Sequence, residues 1–225
     1  MSSSASTLAR RKAERPRPVS PRALQKRSAI MEAALEVLFT EGATTNLERV
    51  AEVANVSKVT IYNHFKTKDA LLIEVVREEL FKAHALTEDI IANRLKVATE
   101  LRGSLEELCR AWVEGLRSPR LMNLRILVAG QVQRVPELGR VWIEVGPVRL
   151  HDHIAAALTE MTQRFALEIP DVELAVLQLA GLVVSPHIMY GPFGGGPDEA
   201  LTERLITKGV EMFLHEYSQK TGPRR

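Results

Sequence analysis

A chain of 225 residues with one cysteine, Cys109, cannot close a disulfide within itself. That fits a reducing compartment, and a lone cysteine on a helical stretch reads first as a small core residue. No apolar run is long enough to cross a bilayer, so no membrane partner is expected. The opening MSSSASTLARRKAERPRP lacks the apolar segment of a secretory signal, and the expected location is the cytoplasm. Catalytic signatures are missing as well: there is no G-x-S-x-G and no H-E-x-x-H. The glycine-rich GPFGGGP, Gly191 to Pro197, lacks the lysine and Ser/Thr of a phosphate loop, and a flexible link explains it better. His151 and His153 are two apart, point to different sides of a helix and have no cysteine or carboxylate cluster beside them. No metal, no cofactor and no enzymatic activity are expected. Sustained period-two alternation is absent too, so the expected class is all-α.

What is present starts with charge. With 45% hydrophobic and 26% charged residues the chain can bury a sizeable core. Its net charge is only +2, but residues 1–27 hold eight basic side chains against Glu14, which makes them +7 and leaves −5 for the rest. A basic arm of Ser, Arg and Pro suits contact with a polyanion, and it equally suits a disordered solubilising tail.

Periodicity then divides the N-terminal third. Pro21 suits the first turn of a helix, along which Leu24, Arg27/Ser28, Met31, Ala34/Leu35 and Leu38 share one side, with Gly42 as its C-cap. Thr45 and Glu48 stand in the relation of a capping box, and Leu47, Val50, Ala51 and Ala54 give a short helix one buried face. Asn55 tolerates the positive φ of a tight turn, and Ser57 can cap a third helix, KVTIYNHF. Ile61 and Phe65, with part of Val59, suffice to anchor that helix, and another starts near Thr67. Two short helices joined by a tight turn make a helix-turn-helix, whose second helix enters the major groove of DNA. No acidic residue lies between Ser57 and Lys68. Lys58 and Lys68 can neutralise phosphates, while Thr60, Tyr62, Asn63 and His64 can exchange hydrogen bonds with backbone or bases.

The stretch TTNLERVAEVANVSKVTIYNHFKTKDALL resembles the DNA-binding domain of TetR/AcrR transcriptional regulators. The likeness is carried by Thr45 through Val50-Ala51, by the turn Ala54 to Ser57, and by Tyr62, His64, Phe65, Lys68 and Leu71. The family's usual turn glycine is Asn55 here, a small stability cost without a change of fold. The resemblance implies that Thr45, Thr60, Tyr62, His64 and Lys68 position the DNA backbone and that Lys58, Thr60 and Asn63 read bases. Asn46 would add a contact, and Ser57 shares the surface. It also implies a homodimer on double-stranded operator DNA and an effector cavity among the middle helices. RILVAGQVQRVPELGRVW resembles, more loosely, the C-terminal domain of one AcrR-like subgroup.

The remaining two thirds reads as helices. ATELRGSLEELCRAWVEGLRS is amphipathic, Pro119 begins another helix, and Pro136 opens a long one that Gly146-Pro147 kinks or divides. Trp112, Met122, Arg125, Gln131, Trp142 and His151 lie among apolar neighbours. They suit either the walls of a site for a small apolar or amphipathic effector, or ordinary core aromatics and surface arginines. DVELAVLQLAGLVVSPHIMY is apolar nearly all round, and EALTERLITKGVEMFLHEY carries a stripe of Leu201, Leu205, Gly209, Phe213 and Tyr217. They read either as two core helices or as a pair docking on its twin through Val172, Leu179, Leu182, Leu205, Phe213 and Tyr217.

The expected organisation is a disordered arm over 1–20, a three-helix DNA-binding domain over 21–68, a helical ligand-binding and dimerisation domain over 69–218, and a flexible tail over 219–225. The expected function is a ligand-released repressor that binds a palindromic operator as a dimer. A ligand-independent architectural DNA binder, a small-molecule-binding protein without DNA binding and an enzyme are the alternatives.

Overall fold

A computed structural model of the chain describes residues 20–42 and 46–218. Among them no strand is present. A single antiparallel bridge joins Leu167 to Ser218, and the rest of the regular structure is helical. The basic arm, Thr45 and the C-terminal tail from residue 219 lie outside the described residues.

Three helices form the N-terminal unit. Helix α1 (Pro21–Glu41) has Pro21 in its first turn and the Ser20 hydroxyl accepting from the Ala23 N–H. It buries Ile30, Met31, Ala34, Leu35 and Leu38, and Gly42 closes it at φ 82°. Leu24, expected on the apolar side, is 53% exposed because the helix begins beyond the edge of the core. Helix α2 (Leu47–Val53) is capped by Asn46, whose Oδ1 accepts from the Arg49 N–H at 3.0 Å. The cap therefore falls one residue later than a box built on Thr45. Asn55, at φ 49°, ends α2: its N–H donates to the Glu52 carbonyl and the Val56 N–H to the Ala51 carbonyl. This pair of bonds is the Schellman closure, which satisfies two carbonyls that a helix end leaves open. Helix α3 (Lys58–Phe65) then starts on Ser57, whose hydroxyl accepts from the Thr60 N–H.

Helix α4 (Lys68–Asp89) is capped by Thr67 and continues into a π turn over Ile90–Arg94. It packs on α1 and α3, and on the regulatory helices α5 (Leu101–Arg117), α6 (Pro119–Gln131), α7 (Pro136–Ile143) and α8 (Arg149–Arg164). It is therefore common to both units, and one apolar core runs unbroken from Ile30 to Tyr217. A tight crossing lies between α4 and α5 at Gly115, where a Cβ would stand 2.0 Å from the Ala83 carbonyl oxygen. Between α7 and α8, Gly146 leaves helical geometry (φ −87°, ψ −105°) just before Pro147, so the long helix is divided.

The last helices depart further from expectation. The apolar stretch from Val172 to Tyr190 is two helices, α9 (Val172–Val183) and α10 (Ser185–Tyr190), with a 58° bend at Val184 just before Pro186. Helix α11 (Glu199–Tyr217) packs across α9 and α5. It buries Thr202, Ile206, Gly209, Val210, Phe213 and Tyr217, so the buried face is turned by about one residue from the Leu201–Leu205 stripe. Leu179 and Phe213 are 0% and 1% exposed inside their own protomer, and Tyr217 bonds to Gln178. Leu179 is thus covered within the protomer, while Phe213 and Tyr217 keep only a small surface in a shallow hollow shared with Leu182 and Met212. Val172, Leu182 and Leu205 are half-buried, and the apolar side chains exposed on α9 and α11 are Leu174, Leu177, Leu201 and Met212. Among the described residues no single helix is long and apolar enough to cross a membrane.

Candidate nucleic-acid interface

Helix α3 is held by two side chains four residues apart. Ile61 and Phe65 are 1% and 3% exposed, and the Arg27 guanidinium lies 5.0 Å over the Phe65 ring while bonding to Glu74 at 2.6 Å. With that side fixed, Lys58, Val59, Tyr62, Asn63 and Lys66 point outward as one strip, spaced i, i+1, i+4, i+5, i+8. Val59 is 67% exposed, so it does not help to anchor the helix as the sequence suggested. It supplies an apolar contact in the middle of a polar face. Thr60 and His64 are half-buried on one flank, and the Thr60 hydroxyl lies 2.8 Å from that of Ser57. Lys66 adds a cation that sequence reasoning missed. It ends α3 at φ 62°, a conformation uncommon for a side-chain-bearing residue, and remains exposed.

Charge on this surface is more balanced than the acid-free run suggests. Glu48, reaching across from α2, pairs with Lys58. The hydrogen bond from Lys58 holds the Glu48 carboxyl below its ordinary range and in turn raises the Lys58 amine. Arg49 is likewise held by Glu41 at 2.7 Å and Glu52 at 3.0 Å. Asn46 spends Oδ1 on its cap. Lys68 is half-buried behind α3, its amine lowered by burial and then by the neighbouring Arg134, which bonds to Asp69 at 2.9 Å.

The reading unit is tied to the regulatory helices by an ion cluster that the sequence did not reveal. Arg120 of α6 reaches Glu32 of α1 at 2.6 Å and also pairs with Glu79 of α4, which is only 6% exposed. Lys82 bonds to Glu32 and Glu79, at 3.1 and 3.0 Å. Apart from the i, i+3 pair of Lys82 with Glu79, these contacts are 41 to 88 residues apart in the chain and leave no local signature.

The six expected effector residues fall into separate contacts. Trp112 stands edge-on to His151, with centroids 5.6 Å apart. Arg125 lies 5.5 Å over Trp142 and bonds to the Met122 sulfur, while Gln131 accepts from Arg134. None of the six lines the hollow of about 360 Å³ between the end of α4 and α8, which is walled by Glu88, Ile91, Leu95, His153, Ala157 and Met161. His151 and His153 do face different ways, His153 lying 3.4 Å from Glu88.

Comparison with known proteins accounts for both units. Residues 30–75 match the family model of bacterial regulatory proteins of the tetR family, and residues 103–219 match that of the AefR-like transcriptional repressor C-terminal domain. A TetR-family transcriptional regulator of Mesorhizobium loti superposes with a TM-score of 0.82 at 30% identity, over 88% of this chain and all of that one. The HTH-type transcriptional regulator RutR of Escherichia coli is 28% identical over 165 residues, 66% of this chain and 77% of RutR. The fold is shared with Thermus thermophilus FadR, a TetR-family repressor solved with lauroyl-CoA (TM-score 0.57, 22% identity, 88% of this chain and 98% of that one). A helix-turn-helix with an outward strip on α3, joined through α4 to a helical domain matched over more than half of the chain, makes this protein a member of the TetR family of DNA-binding transcriptional regulators.

Proposed function

We propose that the protein is a repressor that binds a palindromic operator as a homodimer and is released by a small apolar or amphipathic effector. The outward strip of α3 carries this reading. Val59 and Asn63, with Lys58 and Thr60, meet base edges, where an apolar side chain suits a thymine methyl and an amide suits adenine. Thr45, Asn46, Ser57, Tyr62, His64, Lys66 and Lys68 hold the phosphates.

The dimer seam is the outer face of α9 and α11. Leu174, Leu177 and Met212 are 48%, 50% and 59% exposed there, beside a shallow apolar hollow at Gly181 and Leu182. A two-fold pair would set the two α3 helices about 34–36 Å apart, one turn of DNA. The shared helix α4 and the Arg120 cluster give an effector a path to that spacing. The lauroyl-CoA bound by the FadR neighbour supports a small-molecule role for this fold. A hundredfold release requires the effector to favour the off-DNA form by about 2.7 kcal/mol.

The test is selection of bound sites from a random DNA pool with the full chain, followed by titration of the winners. A palindrome with half-sites one turn apart is expected. Absence of any enriched sequence would overturn the reading in favour of an architectural DNA binder.

A further inference from the structure

Two hydrogen-bonding atoms on α4 are sealed in the interior without a partner, His84 Nδ1 and Thr87 Oγ1. Their side chains are 3% and 0% exposed. Helical threonines ordinarily return their hydroxyl to the carbonyl four residues back. Thr40, Thr159, Thr202 and Thr207 all do so here, whereas Thr87 does not. The carbonyl it would use, that of Ala83, faces the tight crossing at Gly115. An unpaired buried group of this kind is destabilising, a cost that a bound partner would remove.

Position says where such a partner would sit. Residues 84, 87, 88 and 91 follow one another along a single face of α4 by helical spacing. Glu88 and Ile91 wall the hollow of about 360 Å³ against α8, at the small end of the range for small-molecule sites. His84 and Thr87, each four residues before a wall residue, are the preceding turn of the same stripe; they do not line the hollow but lie behind its inner end. At the lip the helix widens into the π turn Ile90–Arg94, an irregularity frequent at functional sites.

The charges around the hollow are already engaged. Arg149 bonds to Glu88 at 2.9 Å, His153 lies beside the same carboxylate, and Arg164 donates to the carbonyls of Leu95 and Ala98. Apart from these groups and Glu160 at the rim, the lining is Ile91, Ala92, Leu95, Ala156, Ala157 and Met161. Burial also keeps the His84 ring neutral. A carboxylate or ammonium carried inward would lose its water without meeting an opposite charge.

We propose that the hollow between α4 and α8 is the effector site, and that its ligand is an uncharged molecule with an apolar body and one terminal hydroxyl that reaches inward to bond to His84 and Thr87. This rests on the effector-released reading and adds the ligand's chemistry to it. A ligand hydroxyl can donate to an unprotonated Nδ1 and accept from the threonine.

The experiment uses the full chain without DNA. 4-Hydroxybiphenyl and 1-decanol serve as probes, biphenyl-4-carboxylate and decanoate as their charged counterparts, read by thermal shift and titration calorimetry. At least one hydroxyl probe is expected to bind, and at least tenfold more tightly than its carboxylate. Thr87→Val, which removes the orphaned hydroxyl at nearly constant volume, is expected to raise the melting temperature of the free protein by about 2–4 °C. It should also weaken the hydroxyl probe about tenfold, whereas Thr87→Ser stays within threefold of the parent. Overturning results are carboxylates that bind as well as alcohols, no binding by either alcohol, or a Thr87→Val protein that is less stable or keeps full affinity. Because no DNA is present, failure here leaves release by a ligand elsewhere intact, and failure of operator release leaves these measurements standing.

Discussion

The two ends of α4 treat polar groups in opposite ways. At its start, the reading unit keeps an apolar interior of Ile30, Val50, Ile61 and Phe65 and puts its amides, lysines and hydroxyls outside. At its far end, Glu79, His84 and Thr87 are buried, and two of the three have an atom without a partner. The partners proposed for the two ends account for the difference. A polyanion is met in water, where charges stay solvated until contact. A small molecule is distinguished in a dry interior, where a hydrogen bond made or missing counts most. The contrast can be broken or sharpened by substitution.

The largest effect belongs to packing at the sensing end. Gly115→Ala would place a methyl 2.0 Å from the Ala83 backbone oxygen, and neither helix can yield by a rotamer change. A loss of about 3 kcal/mol in denaturant unfolding is expected. An unchanged midpoint would mean that the α4–α5 crossing is soft and that the orphaned atoms beside it can relax.

Next comes the seam. Leu177→Glu places a carboxylate on the exposed face of α9, and the protein should stay folded yet sediment as a monomer. Operator affinity is then expected to fall about a hundredfold, or ~2.7 kcal/mol. A dimer that persists at micromolar concentration would put the interface elsewhere.

At the reading end, Asn63→Ala should relax preference at one base pair in each half-site, worth about 1–3 kcal/mol against the wrong base. Equal weakening on every sequence would make Asn63 a backbone contact instead.

A pH series addresses the interior. Burial lowers the His84 pKa from 6.5 to about 4, with Glu88, Arg149, His151 and His153 as its charged or titratable neighbours. Above pH 6.5 the ring is neutral both folded and unfolded, so it adds no pH dependence. Between 6.5 and 4 the unfolded chain holds a proton that the folded one excludes, and stability falls as pH is lowered. The slope from this group approaches about 1.4 kcal/mol per pH unit. Burial lowers His151 and His187 in the same direction. His84→Leu should flatten the curve measured by urea unfolding, and an unaltered slope would count against a neutral buried imidazole.

The smallest effect is expected from Glu48→Gln, which weakens the hold on Lys58. Affinity for arbitrary DNA should rise a few-fold, with a salt dependence steeper by less than one phosphate contact.

Much of the reading unit was legible because its signals are local. Ser57 caps as expected, the next helix starts at Thr67 as expected, and Asn55 takes the positive φ that the turn demands. The miss at α2 is a single residue, since threonine and asparagine are both good caps and Thr45 and Asn46 are adjacent. Val59 was misjudged because an apolar residue on a short helix looks like an anchor until Ile61 and Phe65 fix the rotation. The seam was only partly legible, for a general reason. The spacing of Leu205, Gly209 and Phe213 marks an apolar face of α11, but periodicity does not say whether the protomer or its twin covers it. The orphaned atoms were invisible for a stronger reason: a sequence names donors and acceptors, and only the folded chain shows which go unmatched.

The pair between Glu48 and Lys58 bears on how the protein finds its site. A chromosome offers roughly 10⁶–10⁹ competing non-specific positions, and each free lysine lengthens the stay at every one of them. A lysine that already has a carboxylate gains little by trading it for a phosphate. The trade becomes favourable only where base contacts seat α3 deeply enough to pull Lys58 away from Glu48. On the proposed reading of α3, weak attachment along the way would leave more of the molecules free to search, and the pair would work as a threshold that only the right sequence crosses.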